Sequence, residues 1–334
     1  MGGKIGLFAL ALLLASFRTA TASTPEIVAG AKKERRLVVY TSMTVDQMQT
    51  ILNAFKAKYP FIEPTMLRAV GERLLTKILT EAQSGRYEFD VVQSAETQAY
   101  ALKKNKLLAR YASPEAKNFP KTFVDPDGYW AAVYIMPNVL GFNSGLVSRA
   151  EVPKNEQELL DPKWKGKIGM DPTKPEWFAW MLNRMGREKG MAYMRRLAGQ
   201  EIRLHTGLSL LTNLLAAGEF PLALNTYLHT VEEVKKKGGP VDWVAFDPVF
   251  TKFQPIEMGA KAPHPNAAKL FIDFVLSLEG QKIIASFSRI PTRPGVPVNI
   301  PGLEKLNFVV DDLNAAEDFN KNYELFRALF VERK

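Results

Sequence analysis

PHPNAAKLFIDFVLSLEGQKII, residues 263–284, is the stretch whose reading decides the fold. Ala268, Phe271, Ile272, Val275 and Leu276 recur at helical spacing, with Lys269 and Asp273 on the opposite side. This pattern predicts a helix that buries one face. Prolines on either side of His264 mark the start of that helix, so the histidine reads as structural. After Ser277 a short break containing Gly280 leads into Gln281, where a second helix begins.

Outward from this segment, a strand, polar loop and helix unit recurs. Residues 37–40 form a short apolar, β-rich run that predicts a buried parallel strand. Thr41, Ser42 and Met43 follow, and Thr44 with Gln47 makes a capping-box pattern for a helix carrying Met48, Ile51, Leu52 and Phe55 on one face. Equivalent units run through Ser94, through Asp171 and Thr173, through Thr206, Gly207 and Ser209, and through Asn225 and Tyr227. Such alternation predicts an α/β fold with parallel-rich sheets flanked by helices. Ligands then bind beyond the carboxyl ends of the strands, where helix N-termini present free N–H groups.

Two stretches break the alternation. Residues 128–143 and 247–258 are strand-like with no intervening helix, which predicts extended crossovers between two lobes. The expected organisation is a signal peptide at 1–22, a first lobe at 26–132, a second lobe at 133–250, a return segment to the first lobe at 251–300, and a helical tail at 301–334. The tail offers Leu325, Phe326, Leu329 and Phe330 for packing against a lobe.

The first residues support export. Lys4 precedes an almost uninterrupted apolar run of 11 residues, and Ala20, Thr21 and Ala22 offer small side chains for cleavage. Spanning a bilayer of about 30 Å needs roughly 20 apolar residues, so the run is too short to be a membrane helix. Export through a cleaved signal predicts a periplasmic protein. With no cysteine in the chain, disulfides, a thiol nucleophile, a Cys-based zinc site and a lipidated cysteine are all excluded. The formal net charge is +9, falling to +7 when Lys4 and Arg18 leave with the signal. The basic clusters are short, scattered and not interleaved with aromatics, so nucleic acid is not an expected partner.

Enzyme signatures are weak. His205, His229 and His264 are the only histidines, and none has a metal-ligand partner at helical spacing. The segment from Gly207 to Leu211 lacks the final glycine of a nucleophile elbow. Neither a phosphate-binding nor a dinucleotide-binding glycine fingerprint is present. The chain is therefore not expected to be an enzyme, and no cofactor is expected.

Five segments, LVVYTS (37–42), FDVVQSAE (89–96), LLDPKWKGKIGM (159–170), LAAGEFPLALNTY (215–227) and APHPNAAKLF (262–271), together resemble the periplasmic solute-binding proteins of ABC importers, in particular the iron-type branch (type II, family 1). The resemblance covers roughly residues 36–295, and its specific parts are DPKWKGKI and APHPNAAKLF. It implies two α/β lobes, joined by extended hinge segments, that close on a ligand in the cleft. Iron binders of this group commonly use a His, a Glu and two adjacent tyrosines. Those positions fall on Thr44, Ala95, and Tyr227 with Leu228, so three of the four cannot serve. A single phenolate has too few hard oxygens for a trivalent ion. Tyr134 and Tyr40 keep a ferric-iron carrier as an alternative.

The same loops hold short donors suited to a carboxylate, phosphate or phosphonate: Thr41, Ser42, Ser94, Thr206, Ser209 and Asn225, with Gly207 allowing close backbone approach. Tyr227 is placed to hydrogen-bond or stack on the ligand, and Asp171 to pair with a ligand ammonium or to cap its helix. No metal ligands are assigned. The expectation is a monomeric periplasmic binding protein that captures a small polar, anionic organic solute and delivers it to an ABC permease. A periplasmic hydrolase or transferase, or a ligand sensor for a membrane kinase, are the alternatives of other classes.

Overall fold

The computed structural model describes residues 24–310 and 319–332. The expected signal peptide lies outside the described residues. In chain order, the first part comprises α1 (Pro25–Glu34), β1 (Arg36–Thr41), α2 (Val45–Lys58), β2 (Glu63–Arg68), α3 (Glu72–Gln83), β3 (Val91–Gln93), α4 (Glu96–Lys104) and β4 (Leu108–Ala109). The long strand β5 (Trp130–Asn143) leads to β6 (Ile168–Met170), α5 (Glu176–Met185), α6 (Arg187–Ala198), β7 (Arg203–Leu204), α7 (Leu208–Ala216), β8 (Leu222–Tyr227), α8 (Leu228–Lys236) and β9 (Val241–Val244). A second long strand, β10 (Val249–Gly259), returns to α9 (Pro265–Leu276), α10 (Leu278–Ser286) and β11 (Ile290–Pro291), followed by β12 (Phe308–Val310) and α11 (Phe319–Phe330).

Among the described residues twelve strands join in one sheet, ordered β2-β1-β3-β10-β5-β8-β6-β7 along its main path. The outer strands β2-β1-β3 and β8-β6-β7 pair in parallel within their own lobes. Between them β10 and β5 run antiparallel and join the lobes. Residues 130–137 of β5 pair with β10, whereas residues 138–143 pair with β8 and β9, so this strand passes from one lobe's sheet into the other's. Pro255 lacks an N–H for the ladder, and the register shifts between Gln254 and Pro255. A bulge at a proline spares the sheet a missing donor and turns the neighbouring side chains.

In the first lobe, α2 and α9 pack on the sheet, with Phe55 against Phe271 (5.2 Å, edge-on) and Phe274 (5.6 Å). The expected one-faced helix is in fact buried nearly all round: Ala267, Leu270, Phe274 and Asp273 join the predicted apolar set inside. Asp273, expected on the solvent side, accepts hydrogen bonds from the Tyr111 hydroxyl (2.9 Å) and the Ser113 hydroxyl (2.6 Å). Its polarity is met inside the lobe, so the carboxylate tolerates burial. His264 sits at the N-cap of α9, where its N–H and Nδ1 meet buried Asp90 (2.6 and 3.0 Å), and Asp90 also accepts from the Val38 N–H (2.7 Å). Helix α9 is thereby tied to the first strand.

The break between α9 and α10 depends on Gly280. A Cβ there would lie 2.2 Å from the Phe274 carbonyl oxygen and 2.6 Å from that of Val275, both rigid backbone atoms. Gly280→Ala is therefore expected to destabilise the protein by about 3 kcal/mol, measured by denaturant unfolding. An unchanged midpoint would show that α10 shifts freely on α9.

In the second lobe, α5 and α6 bury Phe178, Met181, Met194 and Leu197, and α11 closes this core with Phe326 and Phe330. Phe178 and Phe326 meet at 5.8 Å. The tail thus packs its apolar residues on the second lobe, while β12 pairs with β10.

Candidate functional site

Facing lobes meet at the carboxyl ends of β1, β3 and β8 and along the middle of β10. Contacts across the boundary hold them together: the Gln47 side-chain amide donates to Glu233 (2.7 Å), and Lys236 donates to Ser288 (2.7 Å). The expected capping box is not formed. Thr44 occupies the N-cap of α2 without a side-chain cap, and Gln47 reaches the other lobe instead.

The predicted ligand residues fall into three groups. Thr41 and Asp171 spend their oxygens inside the protein. The Thr41 hydroxyl donates to Gln93 (2.8 Å) and accepts from the Met43 N–H (3.0 Å). Asp171 accepts from the Thr173 N–H and hydroxyl (2.9 and 2.8 Å) and from the Gly207 N–H (3.1 Å). Its carboxylate therefore ties two loops together, and Gly207, at φ 103°, takes a backbone conformation that a side chain would strain. Thr206 and Ser209 stand exposed beside it, after the edge strand β7. Asn225, in the left-handed region at φ 60°, lines a cavity of about 30 Å³ with Trp177, Trp180 and Phe250, too small for an organic solute.

Ser42, Ser94 and Tyr227 lie at the meeting of the lobes. The Ser42 hydroxyl donates to Gln254 (2.9 Å), which also accepts from the Gln93 amide (3.0 Å). The Ser94 hydroxyl donates to Glu257 on β10 (3.2 Å). Tyr227 is half-buried and stacks on His229 (5.7 Å, interplanar angle 18°). Burial raises its phenol pKa, so the hydroxyl keeps its proton and can donate. Tyr40 lies elsewhere, in the first lobe's core, donating to Glu81 (2.9 Å), with its pKa pushed up to about 12 by burial and that carboxylate.

Glu257 is fully buried, and its second carboxylate oxygen has no partner. Burial raises its pKa well above the ordinary 4.5, outweighing the Ser94 hydroxyl. Because the folded carboxyl holds its proton more tightly than the unfolded one, its contribution to stability is full below about 4.5 and is lost as pH rises through the folded value. Glu257→Gln, isosteric and neutral, is expected to stabilise the protein at pH 8 by about 2 kcal/mol and to change little at pH 4, as read from melting curves. Equal effects at both pH values would show that the carboxyl does not titrate between them.

Five side chains that sequence reasoning did not assign to the site complete it. Lys252, on β10, is buried between Glu176 of the second lobe (2.7 Å) and Glu96 of the first (3.3 Å). Glu96 is the residue directly after Ala95, to which the resemblance assigned the family's glutamate. Arg289, only 5% exposed, extends from the segment before β11. Its Nε donates to the Gln47 side-chain amide oxygen Oε1 (2.9 Å), and its guanidinium lies 4.4 Å from the centre of the Tyr134 ring. Among the described residues no carboxylate forms an ion pair with it. His229 is buried with Nδ1 unpartnered. Burial, helped by the Arg289 charge, keeps its pKa well below the ordinary value, so its imidazole is neutral. The signal for Lys252 was a lysine within a strand otherwise apolar enough to be buried; Arg289 carried none.

Residues 87–313 match the family model described as bacterial extracellular solute-binding protein. The chain belongs to that family. Proteins of this family bind small solutes and work with ABC permeases, so this is a solute-binding protein of the ABC-importer type. It is 25% identical over 269 residues to an uncharacterized protein of Haemophilus influenzae, an alignment covering 76% of each chain. Iron-bound HitA from Pseudomonas aeruginosa superposes with a TM-score of 0.78 at 21% identity, over 87% of this chain and 98% of that one. AfuA from Actinobacillus pleuropneumoniae, with exogenous fructose-6-phosphate bound, superposes with a TM-score of 0.76 at 23% identity, over 89% and 99%. These neighbours carry the two-lobe periplasmic-binding-protein fold over to this solute-binding protein, while their cargoes differ from one another.

Proposed function

We propose that this binding protein captures a small polar, anionic organic solute in the periplasm, holding its acid group at Arg289 between the lobes and presenting the closed form to the permease. The observation that carries this reading is a buried arginine that has no carboxylate partner among the described residues. A buried charge is costly unless paired, and a guanidinium offers a fork of donors matched to a carboxylate or a phosphate. Gln47 and Tyr134 fix the orientation of that fork, which reduces the freedom lost on binding. The neutral imidazole of His229, the phenol of Tyr227 and the hydroxyl of Ser42 are the hydrogen-bonding groups proposed around the ligand. Thr206, Gly207 and Ser209 are proposed as rim contacts.

A ferric cargo fits this donor set poorly. Glu96 and Glu176 share the Lys252 ammonium, and among the described residues no three His, Asp or Glu side chains converge as metal ligands. A thermal-shift panel of phosphonates, sugar phosphates, dicarboxylates, amino acids and Fe(III)-citrate on the mature protein tests the reading. A true ligand stabilises by RT ln(1 + [L]/Kd), about 2.7 kcal/mol at 100 Kd. Stabilisation by an organic acid is expected. A shift with Fe(III) together with a visible charge-transfer band would replace it with iron carriage.

A further inference from the structure

We infer that the solute is a zwitterion, carrying an ammonium group that Glu96 accepts at the opposite end of the site from the acid held by Arg289. The inference rests on the anion site at Arg289 and adds the chemistry of the ligand's other end.

Three charged groups meet where β10 crosses the boundary. Glu96 opens α4 in the first lobe and Glu176 opens α5 in the second, with Lys252 between them. Their side chains are 9%, 19% and 6% exposed. One ammonium thus faces two buried carboxylates, leaving an uncompensated negative charge. The pairing is unequal. Lys252 stands 2.7 Å from Glu176 and 3.3 Å from Glu96, and the second oxygen of Glu96 is buried with no hydrogen-bond partner.

The acidities follow the distances. Burial acts to raise the pKa of Glu176, yet the attraction of Lys252, seconded by Lys174, holds it below its ordinary value. At Glu96 burial prevails over Lys252, and the carboxylate of Glu176 adds to the rise. Lys252 sits closer to Glu176, so Glu96 has the weaker share of that ammonium and keeps one oxygen without a donor. A ligand hydroxyl would supply the donor and leave the charge uncompensated. An ammonium supplies both. Asp171, the other acid considered for a ligand amine, has its oxygens taken by Thr173 and Gly207.

Calorimetric titration of the mature protein with matched probes tests the inference: 4-aminobutyrate against butyrate, 3-aminopropylphosphonate against propylphosphonate, and glycerol phosphate as a hydroxylated anion without an amine. The amino member of a pair should bind about 10-fold tighter or better than its partner. Glu96→Gln, checked for folding by its melting curve, should erase that preference; a preference that survives in the variant would overturn the assignment of the ammonium to Glu96. If the amine-free acids or glycerol phosphate bind as tightly as the amines in the unmodified protein, the zwitterion is overturned, and the anion reading stands provided Arg289→Gln still weakens them. If none of these acids binds, both fall.

Discussion

Arg289→Gln is expected to weaken the binding of anionic solutes by about 100-fold or more, while the melting temperature of the unliganded protein holds or rises. Breaking a buried, hydrogen-bonded charge pair between protein and ligand removes about 2–5 kcal/mol. Without ligand the same guanidinium is a buried charge with no carboxylate beside it among the described residues, so its removal relieves desolvation. Opposite effects of one substitution on affinity and on intrinsic stability mark a residue kept for binding. Glutamine keeps a donor for Gln47 but loses the charge and the fork. Titration calorimetry and thermal melting of the two proteins would measure both quantities. Affinity within threefold of the original, or a melting temperature several degrees lower, would make Arg289 a structural residue.

Lys252→Met carries the second large effect, on stability. Methionine matches the aliphatic stem of lysine but leaves Glu96 and Glu176 facing each other without the ammonium. Removing one partner of a buried ion pair costs about 3–5 kcal/mol. In the variant both carboxyls would have folded pKa values above their unfolded ones. The stability attached to their protonated forms is then full below the ordinary carboxylate range and is lost as pH rises through the folded values. The deficit relative to the original protein is accordingly expected to be large at pH 7 and to shrink toward pH 4. A deficit independent of pH between these values would mean that the lysine contributes packing alone.

How far the sequence was legible depends on which signals are local. Strand, loop and helix units could be read because apolar runs and helical periodicity are written in consecutive residues; β1 and α2 follow Leu37 to Phe55 closely. Residues 263–284 showed two helices with a break, and Gly280 explains the break through contact with Phe274 and Val275. The interior role of Asp273 was not legible, because its partners Tyr111 and Ser113 lie about 160 positions away. Gln47 shows the same limit: a helix-cap pattern reads identically whether the side chain folds back on its own helix or crosses to Glu233.

Within the site, hydroxyl-bearing loops drew attention because Ser and Thr after strands are a sequence-level sign of anion sites. Three of those residues, Ser42, Ser94 and Tyr227, meet at the lobe boundary, whereas Thr41 and Asp171 serve the loops themselves. The charged groups that define the boundary come from a long strand, from two helix starts and from the segment after α10. They converge only through the order β3-β10-β5-β8, which no local pattern records.

The most direct measurement of the central claim is the arginine side-chain NMR spectrum of the protein, titrated with the tightest-binding solute of the thermal-shift panel. The Nε–Hε resonance of Arg289, identified by its loss in Arg289→Lys, should shift and saturate at one equivalent. Saturable binding that leaves this resonance unmoved would contradict an anion held at Arg289.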